Sequence, residues 1–189
     1  MEQMLMGFRY VFCGVAVLGL VACSSGPEPQ AVAARTLYQW NPEGLTGKTR
    51  IVIDLAAQRA DVTIGGQPAG WAVVATGKEG FETPAGEYKV LEKVADKFSN
   101  LYGITVDAEG NVVNDSADVR TDKPPAGGKF KYAPMPYWLR LTNYGIGMHA
   151  GNIPQPGEPA SHGCIRMPVD FAPRLFAVVK AGTPVTVLR

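Results

Sequence analysis

The sequence predicts a mainly β fold of short strands joined by tight turns, and three observations carry that prediction. Glycine at 22 and proline at 15 of 189 residues are plentiful for chain reversals and too frequent for a bundle of long helices. Short runs of β-branched and apolar residues recur between those reversals, and one stretch near the end, 169–179, carries apolar residues at helical spacing. The length suits about one ordinary domain. A hydrophobic share of 46% and a charged share of 19% are those of a globular protein, and a formal charge of +1 offers no global attraction to nucleic acid or to anionic lipid.

Residues 1–22 read as a processing signal rather than as part of the fold. Arg9 precedes an apolar run from Tyr10 to Val21 that is too short to span a bilayer comfortably. That run ends in Leu20-Val21-Ala22-Cys23, which resembles the lipobox of bacterial lipoproteins. The resemblance implies cleavage before Cys23, lipidation of Cys23, attachment to a membrane through lipid and a periplasm-facing place in the cell envelope. Ser24 after the cysteine, in place of aspartate, implies the outer membrane rather than the inner one in a Gram-negative source. A membrane-anchor helix, or a plain secretion signal with a chance cysteine, is the alternative. Residues 23–49 then form the lipid-anchored N-terminus and linker, with Ser24–Ala34 composed like a flexible tether, and the domain proper runs over 50–189.

Within the domain, Ile51–Ile53, Ala60–Ile64 and Trp71–Val74 read as strands of a meander, with Gly65-Gly66 as one of its turns. Thr83-Pro84-Ala85-Gly86 is a turn, and Tyr88–Val94 resumes as a strand. From Ala95 to Lys129 the chain is polar and poor in apolar periodicity, with a short hairpin-like pair around Asp107–Asn111. A long segment of this kind is expected to be a surface excursion serving as a lid or groove wall. Tyr132, Met135, Tyr137 and Trp138 beside it supply apolar and aromatic surface, which makes them candidates for a substrate groove.

Trp138–Thr142 and Ile146–Met148 read as a hairpin about Asn143-Tyr144-Gly145. Val169, Phe171, Ala172, Leu175, Phe176 and Val179 share one helical face, and Gly182 stops the helix. Pro173 is easiest to place in the first turn, where N–H groups lack intrahelical partners, so the helix is expected to start late. Pro184–Leu188 closes the sheet.

The chemistry concentrates in Met148-His149-Ala150-Gly151 and Ser161-His162-Gly163-Cys164-Ile165-Arg166. Cys13 lies in the signal and Cys23 is taken by lipid, so Cys164 is the thiol left to the mature chain. Both histidines of the sequence stand within the same short stretch. A thiol attacks as thiolate, and a neighbouring imidazole can take its proton and return it to a leaving amine, which is the logic of cysteine acyl transfer. Gly163 leaves the backbone uncluttered, so that N–H groups there can face an oxyanion. Two other readings stand beside this one. Cys164 can be a small buried hydrophobe with structural histidines, or His149, His162 and Cys164 can form a zinc site, for which no fourth ligand is indicated.

Ser161-His162-Gly163-Cys164 with an upstream histidine resembles the signature of the L,D-transpeptidase (YkuD-type) catalytic domain family. The resemblance extends through Ile53-Asp54, Gln58-Arg59, Thr76-Gly77-Lys78, Thr83-Pro84-Ala85-Gly86 and Gly182-Thr183-Pro184-Val185. It implies a mainly β sandwich with a few short helices. It also implies that Cys164 is the nucleophile, that His149 is the base, and that the backbone carbonyl of Ala150 orients that base. Ser161, His162 and Gly163 carry over as residues that shape the site. Arg166 stands where some members of the family have asparagine; it grips a substrate carboxylate or braces the loop.

The implied reaction is ping-pong acyl transfer on peptidoglycan tetrapeptide stems, through a thioester, with release of D-alanine and no metal or diffusible cofactor. Carbapenem-type β-lactams are the implied inhibitors. A peptidoglycan hydrolase on the same scaffold, with water as acceptor, and a non-catalytic wall-binding lipoprotein are the alternatives.

Overall fold

The computed structural model of the chain describes residues 35–189. Residues 1–34, and with them the expected signal, the lipidation site Cys23 and the tether, lie outside the described residues. The first strand, Tyr38–Trp40 (β1), comes earlier than the sequence placed the domain. It lies within the expected linker, yet it pairs antiparallel along Gln67–Val73 (β4), and Tyr38 and Trp40 set their rings 5.7 and 5.6 Å from that of Phe171. Tyr38 and Trp40 are partly buried against the core, so each supplies a part of the roughly 1.5–3 kcal/mol that a large apolar side chain contributes when fully buried.

Thr49–Asp54 (β2) and Arg59–Ile64 (β3) show why the meander forms. Ile51 and Ile53 of β2 alternate with more exposed neighbours, as do Ala60, Val62 and Ile64 of β3, so each strand buries one face. With β4, the strands Gly86–Lys89 (β5) and Pro184–Leu188 (β13) complete a six-stranded sheet in the order β1-β4-β3-β2-β13-β5. The last strand is thus interior, parallel to β2 and antiparallel to β5.

Tyr88–Val94, expected as one strand, is two. Glu92–Val94 (β6) belongs to a second sheet. The backbone changes partner at Val90, whose N–H donates to Thr183 O, while the N–H of Leu91 donates to Arg140 O. That second sheet has four strands in the order β12-β11-β10-β6, built with Trp138–Arg140 (β10), Gly147–Ala150 (β11) and Ile165–Met167 (β12). The β10–β11 hairpin turns at Asn143-Tyr144-Gly145 as the sequence predicts.

A single apolar cluster draws Ile51, Ile53, Val62, Val185 and Val187 from the first sheet and Leu139, Met148, Ile165 and Met167 from the second. This is the sandwich core. The helix Ala172–Val178 (α1) closes it with Ala172 and Leu175, flanked by Phe171 and Val179, all fully buried. Pro173 falls in the first turn, as expected, whereas Val169, assigned to the buried face, is 63% exposed because it precedes the helix. Among the described residues no helix is long and apolar enough to cross a membrane.

The stretch 95–129 is more regular than its composition suggested. Phe98–Val106 (β7), Val112–Asp118 (β8) and Lys129–Pro134 (β9) form a third, three-stranded antiparallel sheet in the order β8-β7-β9. The hairpin around Asp107–Asn111 is real and is held by the Asp107 carboxylate, which accepts from the backbone N–H and the side-chain amide of Asn111.

Candidate active site

The strands β11 and β12 lie side by side and parallel, with Met148 opposite Ile165, His149 opposite Arg166 and Ala150 opposite Met167. Side chains alternate along a strand. Met148, Ala150, Ile165 and Met167 therefore enter the core, while His149 and Arg166 stand on the other face, joined there by Cys164, two positions before Arg166. Cys164 stands immediately before β12, at the end of the loop that leads into the strand paired with β11. The places of His149 and Arg166 follow from two short apolar alternations, whereas Cys164 is set by the loop before β12.

His149 is buried, with 7% of its surface exposed, and its Nδ1 lies 2.8 Å from Ala150 O. A carbonyl oxygen only accepts, so Nδ1 carries the proton and Nε2 is left as the acceptor. Burial pushes the imidazole down to about 4, against the Ala150 carbonyl, which favours the proton; the charge of Arg166 lowers it further. His149 is therefore neutral at ordinary pH. Burial also pushes the half-buried Cys164 thiol up, opposed by the Gly147 N–H and the Arg166 charge. Cys164 Sγ donates to Gly145 O at 3.7 Å, in the β10–β11 turn. Thiol and imidazole thus each rest neutral, which suits a base that takes a proton during attack rather than a preformed ion pair.

The loop before the thiol is fixed by its own polar groups. Ser161, 1% exposed, donates through Oγ to Cys164 O and accepts there from Gly163 N–H at 3.0 Å. Gly163 has φ +106°, a conformation that strains any residue with a side chain, and a Cβ on it would also push Ile146 Cδ1 aside from 2.7 Å. Its N–H is spent on Ser161, so among the N–H groups of this turn expected to face an oxyanion this one is already engaged. Its carbonyl accepts from Thr83 Oγ1 at 2.8 Å, which in turn accepts from Gly77 N–H.

Behind this loop Thr76 O accepts from the N–H groups of both Ala160 and Ser161, and Thr76 is itself gripped by the buried Gln58. Thr83, Thr76 and Gln58 are thus structural supports of the site that the sequence reading passed over. The only local signals were their places in the stretches Gln58-Arg59, Thr76-Gly77-Lys78 and Thr83-Pro84-Ala85-Gly86.

His162 is held differently. Its ring stacks on Tyr102 of β7 at 4.3 Å and 12°, and Phe81 meets it edge-on at 4.7 Å. Burial lowers its pKa first, then the charges of Lys78 and Arg166, with Asp118 opposing them. The third sheet therefore reaches the thiol loop through Tyr102. The zinc alternative requires ligands converging on one point, and no group of three or more His, Cys, Asp or Glu side chains does so among the described residues.

The expected groove residues fare unevenly. Tyr132 pairs with Gly103, so it points to the opposite face of β7 from Tyr102, away from His162. Tyr137 packs against the core, edge to face with Phe176 at 5.6 Å, and Trp138 is a buried floor, 2% exposed, with its ring 6.1 Å from that of His149. Met135 is half-buried, its N–H donating to Lys97 O. The aromatic surface at the site is instead Phe81 and Tyr102. Arg166 is half-buried beside His149 and donates to Asn152 O at 3.4 Å.

Comparison with known proteins agrees with this geometry. Residues 48–187 match the L,D-transpeptidase catalytic domain family. Among solved structures, the catalytic domain of an Enterococcus faecium L,D-transpeptidase is 28% identical with a TM-score of 0.54, the match covering 77% of this chain and all (100%) of that one. A Mycobacterium smegmatis L,D-transpeptidase is similar in fold, with 21% identity, a TM-score of 0.56 and coverage of 75% and 59%. An L,D-transpeptidase in complex with imipenem is also similar in fold, with 22% identity, a TM-score of 0.57 and coverage of 74% and 58%. The chain thus spans under two thirds of the length of the latter two proteins. A search of curated proteins finds no match.

Proposed function

Because this chain belongs to the L,D-transpeptidase catalytic domain family, we propose that it transfers acyl groups on peptidoglycan stem peptides, with Cys164 as nucleophile and His149 as base. The observation that carries this reading is the Nδ1–H of His149 donating to Ala150 O, which leaves Nε2 free on the sheet face that also bears Cys164. Nε2 takes the thiol proton as sulfur attacks the carbonyl carbon of a tetrapeptide stem. A C–S bond forms and an oxyanion develops, for which the backbone N–H of Cys164 is the donor within the turn, Gly163 N–H being committed to Ser161. The C–N bond breaks as His149 returns the proton to the departing D-alanine amine, leaving a thioester. An incoming amine reverses these steps. Water as acceptor gives the hydrolase alternative.

The neutral thiol and imidazole favour acylation by substrates that deliver their own binding energy to the site. Carbapenem-type β-lactams fit the same chemistry, the sulfur opening the ring to a stable thioester. On the N-terminal side, the Leu20-Val21-Ala22-Cys23 sequence supports a lipid anchor at Cys23, and Ser24 after it supports a periplasm-facing place on the outer membrane in a Gram-negative source.

The deciding experiment incubates the protein with a purified disaccharide-tetrapeptide and follows both enzyme and product by mass spectrometry. A thioester adduct on the peptide containing His162-Gly163-Cys164, together with loss of D-alanine, is expected. Product masses then separate transfer from hydrolysis, and the absence of an adduct would leave only the binding alternative.

A further inference from the structure

Among the described residues no carboxylate forms an ion pair with the guanidinium of Arg166, which stands on the site face of β12. Arg59, Arg120 and Arg140 each form an ion pair, with Asp61, Asp118 and Glu92. Arg166 donates instead to a backbone carbonyl, Asn152 O, at 3.4 Å, which is long for a hydrogen bond and leaves most of its donors unused. Its stem lies tightly against Gly151, where an added Cβ would come within 3.1 Å of Arg166 Cγ. The group is thus placed by packing. Burial lowers its pKa, and Cys164 opposes that shift when its thiol is ionised.

Its position relative to the base gives the charge a use. Arg166 is the register partner of His149, on the same face of the second sheet. His149 must meet the amine nitrogen twice, once when the leaving amine takes a proton and once when the incoming amine gives one up. In an α-amino acid, that nitrogen and the carboxylate share one carbon. Adjacent strands stand about 4.8 Å apart, so two register partners can engage two groups borne by a single carbon, and a guanidinium fork matches a carboxylate in geometry and charge.

We propose that Arg166 reads the carboxylate of the amino acid on the amine side of the bond, so that acceptors carrying a carboxylate on the amine-bearing carbon are preferred to simple amines and to water. The assignment rests on the acyl-transfer reading above. In the step it governs, the acceptor nitrogen attacks the thioester carbon, a C–N bond forms and the C–S bond breaks. The proton passes from the amine through His149 Nε2 to the departing sulfur. Arg166 gains or loses no proton; it orients the acceptor.

The test uses the full chain acylated with the disaccharide-tetrapeptide and compares D-alanine with D-alaninamide as acceptors, in the wild type, Arg166→Gln and Arg166→Lys. The readout is the ratio of the two transfer rates. A preference for the carboxylate on the order of tenfold or more is expected in the wild type, falling toward unity in Arg166→Gln and partly kept in Arg166→Lys. A donor stem ending in an amide provides a second arm. A slowed acylation that Arg166→Gln abolishes as a difference extends the assignment to the leaving group, and an unaffected acylation confines it to the acceptor.

An unchanged acceptor ratio in both variants overturns the assignment and leaves Arg166 a loop brace. Loss of acylation in both variants while they remain folded overturns it too, because the residue would then serve the thiol. No adduct even on the wild type would sink the acyl-transfer reading itself, which keeps the two failures distinguishable.

Discussion

Gln58 and Thr76 hold each other by a reciprocal pair of hydrogen bonds, Gln58 Nε2 to Thr76 Oγ1 at 2.7 Å and Thr76 N to Gln58 Oε1 at 2.8 Å. Gln58 is 1% exposed and adopts φ +49°, unusual for a residue with a side chain, so the amide network holds a strained backbone in place. Thr76 O then carries the amides that start the thiol loop. Gln58→Ala leaves a buried N–H without a partner and is expected to cost roughly 1–3 kcal/mol. Denaturant unfolding measures that loss. A fall in the rate of Cys164 acylation in the folded variant is expected with it, and an unaltered rate would uncouple this support from the site.

Cys164→Ser is expected to remain folded and to lose turnover, because a hydroxyl of similar size is a far weaker nucleophile in this setting. His149→Ala is expected to lower kcat/KM by about 10²–10⁴-fold, the usual range for a general base. His162→Ala should cost less, since that ring is engaged by Tyr102 and Phe81. Steady-state kinetics on the three variants decides; activity retained in His149→Ala would move the base elsewhere.

The pH profile should show a neutral base. His149 titrates at about 4 in the folded protein against 6.5 in the free side chain, so the acid limb of kcat/KM belongs near 4 rather than near neutrality. Stability follows the same group. As pH falls through 6.5 the unfolded chain takes up a proton that the folded chain refuses until about 4, so stability is full above 6.5 and declines across that window. The decline amounts to about 3 kcal/mol at most. Thermal melts of the wild type and His149→Phe between these pH values should differ in slope.

Tyr102→Ala removes the stack that joins the third sheet to the thiol loop. The expected result is a larger fall in turnover of a disaccharide-tetrapeptide than in reaction with a small thiol probe, because the wall is lost while the thiol stays. Equal losses would mark a general disturbance of the fold.

Cys23→Ala should abolish incorporation of a fatty-acid analogue in the producing cell, as the proposed attachment is a lipid and not a spanning helix. Label that persists in the variant would remove the lipobox reading.

Much of this architecture is legible in the sequence where burial is one-sided. Ile51 and Ile53, Val62 and Ile64, and Phe171, Ala172 and Leu175 all announce their faces by spacing alone, and the core uses them accordingly. The third sheet was not legible for the opposite reason. Phe98, Leu101, Val112, Val113 and Tyr132 are all exposed while Thr105 and Ala117 are buried, so the alternation in β7–β9 does not separate apolar from polar. The break at Val90 was hidden too, since its cause lies in Thr183 and Arg140, far along the chain. At the site, the thiol, the imidazole and the serine stood out as residue types, but the groove did not. Tyr137 and Trp138 have the composition of a recognition surface and the positions of core and floor.

The interior place of β13 makes the first sheet depend on the last strand of the fold. Strands β2 and β5 meet only through Val185–Leu188 and Pro184–Val187, the closing residues of the fold. A chain emerging from its N-terminal end carries Cys164 and His149 well before the six-stranded sheet can be assembled. Until those last residues arrive, half of the sandwich has no continuous sheet to bury its apolar face. Such long-range closure slows folding. It also means that a chain lacking β13 would leave β2 with a bare edge and β5 with no partner strand, and bare edges of this kind are templates for pairing with other chains.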